Sequence, residues 1–185
     1  MERYEDKIER ALILLKQPSR LSPTGSNPIV YLTYQPEEAI KVRSLATDFL
    51  PAKAEYYGLN IHFISLGEII DKFINNHEYH SIWTTPAVGE GDLYKSIRQE
   101  IESQKCIENA IFEIQDKYLS EPNTLLVLRD VEMLHPFYMM GVIENNIYNK
   151  IKLPILVLYP GESQGTARSF LSIYKHDGNY RSINI

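Results

Sequence analysis

An apolar run without alternation, Ile155 to Leu158, leads into Tyr159 and stops abruptly at Pro160-Gly161, inside the stretch KLPILVLYPGESQG (residues 152–165). A run of strand length with no polar residue at every second position needs cover on both faces, and a parallel sheet between layers of helix supplies it. Residues 29–34, 59–64 and 124–128 read as further strands of this kind, with 153–159 the fourth. Helix-period stripes lie between them. The chain therefore predicts a three-layer α/β fold with a mostly parallel sheet. Open sheets of this class carry their functional groups beyond the C-terminal ends of the strands, which directs attention to the residues just after Tyr159.

The intervening segments give helices with marked ends. Tyr4, Ile8, Ala11, Leu12 and Leu15 fall on one stripe over residues 2–16. Pro36 suits a first helical turn, with Glu37 and Glu38 placed well for the helix dipole. Ala39, Val42, Leu45, Ala46, Phe49 and Leu50 keep helical spacing up to Pro51, which is expected to kink or interrupt the helix before Gly58 closes the segment. Ser65 and Glu68 form a capping box ahead of Ile69, Ile70, Phe73 and Ile74. Residues 77–91, with Trp83 and Pro86, break the pattern. One helix of about 40 Å is expected from Asp92 to Leu119, and another over residues 136–150. Asp177-Gly178 reads as a two-residue turn between 171–175 and 180–185, so the chain is expected to finish in an antiparallel hairpin.

The 185 residues fit a single domain spanning 1–185. A net charge of −5 with no basic run argues against direct nucleic-acid binding and against an acidic membrane surface. The one cysteine, Cys106, allows no intramolecular disulfide, and no apolar segment approaches the ~20 residues of a membrane span. With acidic residues where a signal peptide needs basic ones, the expected location is the cytoplasm. Thirteen tyrosines point to amphipathic surface suited to cover by a protein partner.

Three motifs carry chemistry on paper. Gly161-Glu162-Ser163-Gln164-Gly165 matches the G-x-S-x-G elbow of serine hydrolases, but His176 precedes Asp177 in the short remainder, the reverse of their order. A turn is the better reading. His77 and His80 lack a third donor at metal-ligand spacing, so no metal or cofactor is expected. The strand ending in Arg129-Asp130 with Glu132 resembles a Walker B segment, and the whole is compatible with a degenerate P-loop-like fold. After the first strand, however, Thr33-Tyr34-Gln35-Pro36-Glu37-Glu38 offers carboxylates where a phosphate loop needs glycines and lysine. Nucleotide hydrolysis and serine hydrolysis are both disfavoured.

Several segments together resemble the BrxB family of bacterial BREX phage-defence systems. These are PILVLYPGE (154–162) with Gly165, Phe170, the ending DGNYRSINI (177–185), YLTYQPEEAIKVR (31–43) and GLNIHFISLGEIID (58–71). The resemblance implies a non-catalytic adaptor in a multiprotein BREX assembly, with PglZ, a protein of the alkaline-phosphatase superfamily, as the partner. It brings no catalytic residues. Pro160, Gly161, Glu162, Gly165, Tyr180 and Arg181 are the candidates for a partner-binding or structural loop. Glu162 is expected to hold the turn or a partner by hydrogen bonds rather than to do acid–base chemistry. The alternative is a degenerate nucleotide-binding regulator or cryptic hydrolase using a mouth formed by Tyr34, Gln35, Pro36, Glu37, Glu38, Asp130 and residues Pro160 to Gly165.

Overall fold

A computed structural model describes residues 2–17, 28–85, 89–165, 167–174, 177–178 and 182–185. The main sheet is built from β1 (Ile29–Tyr34), β2 (Asn60–Ser65), β3 (Thr124–Arg129) and β4 (Ile155–Gln164), with a short β7 (Ile183–Asn184). Their order across the sheet is β2-β3-β4-β1-β7, and every one of these pairings is parallel. The mostly parallel α/β sheet expected from the apolar runs is what the chain forms.

Alternation along each strand sends successive side chains to opposite faces, and in β1, β3 and the first part of β4 both faces are buried. On one face Val30, Leu32, Leu125, Val127, Leu156 and Leu158 pack under α1 (Tyr4–Leu15) and α2 (Ala39–Tyr56). On the other, Tyr31, Ile64, Leu126, Leu128, Ile155 and Val157 pack under α3 (Leu66–Asn76), α5 (Glu90–Gln104), α6 (Cys106–Tyr118) and α7 (Met140–Ile147). A short turn of helix, α4 (His80–Trp83), seats Trp83 at the edge of that second layer. Ser65 caps α3 by accepting the backbone N–H of Glu68 at 3.1 Å, as the capping pattern requires.

Several expected boundaries move. Pro51 lies inside α2 without interrupting it. Leu50 and Ala54 on either side are fully buried against the sheet, and that packing offsets the ~3 kcal/mol an interior proline costs. The long helix over 92–119 is two helices, broken at Lys105, which adopts a left-handed conformation (φ 50°). The helix expected over 136–150 shrinks to Met140–Ile147. The Pro136 and Phe137 carbonyls accept instead from the Arg98 guanidinium, at 2.7 and 3.2 Å.

The largest correction is at the C-terminal end of the chain. β4 does not stop at Pro160. It pairs with β1 as far as Tyr34↔Pro160, then continues as one arm of an antiparallel hairpin with β5 (Ala167–Phe170). Proline is tolerated because its missing N–H faces the side on which β3 has already ended, β3–β4 pairing having reached only Leu128↔Val157. The Pro160 carbonyl then accepts from the Leu171 N–H at 2.9 Å. Asp177-Gly178 is no turn: it forms β6, paired antiparallel with β5. The tail beyond it runs parallel to β1 (Val30↔Ile183, Tyr31↔Asn184) rather than closing a hairpin on residues 171–175.

Candidate functional site

The C-terminal rim of the sheet is the place to look for function, and the residues there are held in two clefts. The first, of about 270 Å3, is lined by Tyr4, Lys7, Thr33, Gln35, Glu162 and Ser163 among others. Gly161 starts its floor. A Cβ at Gly161 would lie 2.0 Å from the Ser169 carbonyl oxygen, and its φ of +147° suits glycine alone, so the close crossing of β4 and β5 requires this residue. Glu162 then emerges exposed, and its Oε1 accepts from the Gln35 side-chain amide at 3.0 Å. That bond ties the end of β4 to the end of β1. It is a bridge between two side chains, with Glu162 as the acceptor.

Ser163 sits in the hairpin strand itself, opposite Arg168, with its hydroxyl 3.3 Å from that of Thr33. No strand-to-helix elbow surrounds it. Gly165 takes a left-handed turn conformation (φ +62°), and its carbonyl accepts from Asn184 at 2.7 Å. Lys7 reaches over the rim to donate to the Thr33 carbonyl at 3.1 Å, and burial lowers its pKa. Burial and the bond to Glu38 push the Tyr4 phenol up to about 12. Tyr180 and Arg181 lie outside the described residues.

Asp130 belongs to the second cleft, of about 180 Å3, and Tyr34 stands between the two. The single mouth expected to join Glu38, Asp130 and Gly165 is therefore divided. Asp130 Oδ2 accepts from the Ser65 hydroxyl at 2.6 Å and lies 3.5 Å from Arg129, while Oδ1 lies 3.7 Å from Arg43. Arg43 also donates to Glu132 at 2.9 Å. Burial first, and then the negative charge of Glu132, hold the Tyr34 phenol protonated far above its ordinary range. The carboxylates at this strand end are thus engaged by the chain's own cations.

His77 and His80 face different tasks. His77 stacks on Trp83 and accepts the Tyr79 N–H at 3.1 Å, while His80 Nδ1 lies 3.1 Å from the Ile74 carbonyl. Among the described residues no group of three or more His, Cys, Asp or Glu side chains is arranged to hold a metal ion. No described helix is long and apolar enough to cross a membrane.

A third feature matches none of the sequence motifs. An apolar cleft of about 420 Å3 opens between Leu134, Met139, Met140, Tyr159, Phe170 and Tyr174. Its walls are fixed from outside: the Tyr138 hydroxyl donates to Glu108 at 3.0 Å, and Tyr174 meets His135 at 2.9 Å. Met139 stays 62% exposed on the rim, with Val142 and Tyr174 beside it more than a third exposed. The available signal was the apolar run Pro136-Phe137-Tyr138-Met139-Met140, which falls at the start of the helix expected over 136–150.

These features define an α/β protein with helices on both faces of a parallel sheet, a rim closed by internal side-chain pairs and a hairpin growing out of its central strand. The chain belongs to the BrxB family: residues 59–185 match the family model described as BREX protein BrxB. Membership implies a role in BREX phage defence. The matched span covers β2 onward, so Asp130, the hairpin and the apolar cleft lie inside it, and Gln35 lies before it. No curated protein and no solved structure matches the chain.

Proposed function

We propose that this chain is a non-catalytic accessory subunit of a BREX assembly that acts by docking a larger component, with a PglZ-type protein as the partner. The observation that carries the reading is the apolar cleft under Met139, Val142 and Tyr174. Large apolar side chains left exposed around a preformed concavity mark protein interaction sites, where a few well-packed anchors supply most of the affinity. The rim of the sheet supports the same reading, because Asp130, Glu132 and Glu162 already accept from Ser65, Arg43 and Gln35. The test is co-elution of the purified chain with a PglZ-type protein on size exclusion. A complex is expected, and Met139→Asp combined with Val142→Asp is expected to abolish it while the thermal melt stays within a few degrees. A folded double variant that still co-elutes, or a wild-type chain that binds no component of its own system, overturns the proposal.

A further inference from the structure

β2 lies at one edge of the sheet. Its Asn60 N–H donates inward to the Asn123 carbonyl at 3.0 Å. In a parallel ladder one residue's N–H and C=O point the same way and the next residue's point the other. Asn60, His62 and Ile64 therefore face β3, and the N–H and C=O groups of Ile61 and Phe63 point outward. Among the described residues no strand pairs with that outer side. Edge strands are ordinarily blunted by a lysine, a proline or a bulge, and Asn-Ile-His-Phe-Ile-Ser contains none of these.

The surroundings of this edge are self-complementary. Ile61 and Phe63 share the α2 face of the sheet, only partly buried. Next to Ile61 lies an open cleft of about 450 Å3, bounded by Pro51 and Glu55. Phe63 carries a cation with it, since Arg129, whose guanidinium also lies 3.5 Å from Glu68 and from Asp130, stands 5.7 Å over its ring. Glu55, at the cleft, is exposed and has no ion pair among the described residues. On the opposite face His62 is drawn back from the edge, stacked 3.5 Å from Tyr118 and 3.2 Å from Glu121.

We propose that β2 pairs antiparallel with β2 of a second copy of this chain, about a two-fold axis through His62. This register sets Ile61 opposite Phe63 of the second copy and closes a hydrogen-bonded pair at each of the two positions. Each phenyl ring enters the cleft beside Pro51 of the other copy and brings Arg129 to Glu55. The two His62 residues form the non-hydrogen-bonded pair on the axis, where their Cα atoms stand ~4.5 Å apart. The result is one sheet continuous through both chains, with the same patch used twice. The inference does not depend on the docking role proposed above, because it uses a different edge of the sheet.

The experiment is sedimentation equilibrium on the full chain over a concentration series. A species of twice the 21.4 kDa chain mass is expected. Ile61→Pro removes no hydrogen bond of the β2–β3 ladder, because the Ile61 N–H points outward, and it is expected to weaken the dimer on the order of tenfold or more. Glu55→Arg alone is expected to weaken it, and Glu55→Arg with Arg129→Glu to restore it. His62→Cys in a Cys106→Ser background is expected to give a covalent dimer on mild oxidation, since ~4.5 Å lies within disulfide reach. Asn60→Cys is not, because this register holds the two Asn60 residues ~13 Å apart along the strands. Far-ultraviolet circular dichroism confirms the fold of each variant. If Ile61→Pro does not fold, the charge exchange and the cross-link still decide. A chain that is monomeric throughout overturns the proposal, as does a dimer indifferent to the charge exchange that fails to cross-link through His62→Cys.

Discussion

The Arg168 guanidinium donates to Glu144 Oε2 at 3.0 Å in a place where the two side chains are only 2% and 3% exposed. Tyr31 donates to the same carboxylate oxygen at 2.7 Å, and the guanidinium carbon lies 3.6 Å over the Tyr31 ring. Arg168 also donates to Ser182 at 2.8 Å and to Asn184 at 2.9 Å. One side chain on β5 thus ties α7, β1 and the returning tail into a single polar knot. Removing one partner of a buried ion pair strands the other charge, at a cost of about 3–5 kcal/mol. Arg168→Ala is expected to lose stability on that scale in urea unfolding. Arg168→Met with Glu144→Leu is expected to recover much of the loss, since an apolar pair leaves no buried charge.

Gly161 gives the sharpest backbone prediction. A methyl group 2.0 Å from the Ser169 carbonyl oxygen cannot be accommodated, and backbone rather than a flexible side chain must move. Gly161→Ala is expected to cost about 3 kcal/mol or more and to speed amide exchange at Leu171, whose N–H is bonded to the Pro160 carbonyl. Gly165→Ala meets no atom within 4 Å, so only its φ of +62° opposes the change, and about 1 kcal/mol is expected.

Glu162 and Ser163 should behave alike in stability and unlike Gly161 beside them in β4. The Gln35–Glu162 bond is exposed, and one such hydrogen bond contributes about 1 kcal/mol or less. Glu162→Ala and Ser163→Ala are therefore each expected to leave the thermal midpoint within a few degrees. Ser163→Ala is further expected to retain phage restriction in a plating assay. Its loss in a folded protein would bring back a nucleophile at this position.

Burial pushes the Cys106 thiol up to about 11. The folded state thus holds its proton at pH values where an unfolded cysteine has lost it. Between the ordinary thiol range and pH 11 the unfolded chain binds fewer protons, so the stability this group contributes is present below that range and falls as pH rises through it. Native Cys106 is expected to react slowly with a thiol reagent at pH 8 and quickly once the chain is unfolded in urea.

The sheet was legible because β1, β3 and the first part of β4 are buried on both faces, which leaves short unalternated apolar runs bounded by turn residues. The helix break at Lys105 also leaves a trace, although apolar residues recur on both sides of it. After Leu93, Ile97 and Ile101, a single helix would bring its next apolar positions near 104, 105 and 108, where Gln104, Lys105 and Glu108 stand. Ile107 and Ile111 begin a second stripe in a different phase. The antiparallel hairpin was expected, but one strand too late. Asp177-Gly178 has ideal turn composition, and tertiary pairing with β5 overrides it. Proline at position 160 pointed to an end of pairing because the sequence does not say which flank of the strand has lost its neighbour. The apolar cleft depends on Phe170 and Tyr174 meeting Met139 and Met140 across some thirty residues, and no local pattern encodes that meeting.

The Thr33 N–H and hydroxyl both donate to the carbonyl of Ile185, 152 residues further on. At a synthesis rate of ~5–20 residues per second, that separation corresponds to roughly 8–30 s between the appearance of the two. For most of that interval β1, buried along its whole length, has neither of its neighbours, because β4 begins only at Ile155. β1 closes late, after β2 and β3 have already had the chance to pair. Assembly of the sheet during translation is therefore expected to run inward from the β2–β3 side, with β1 among the last strands to be enclosed.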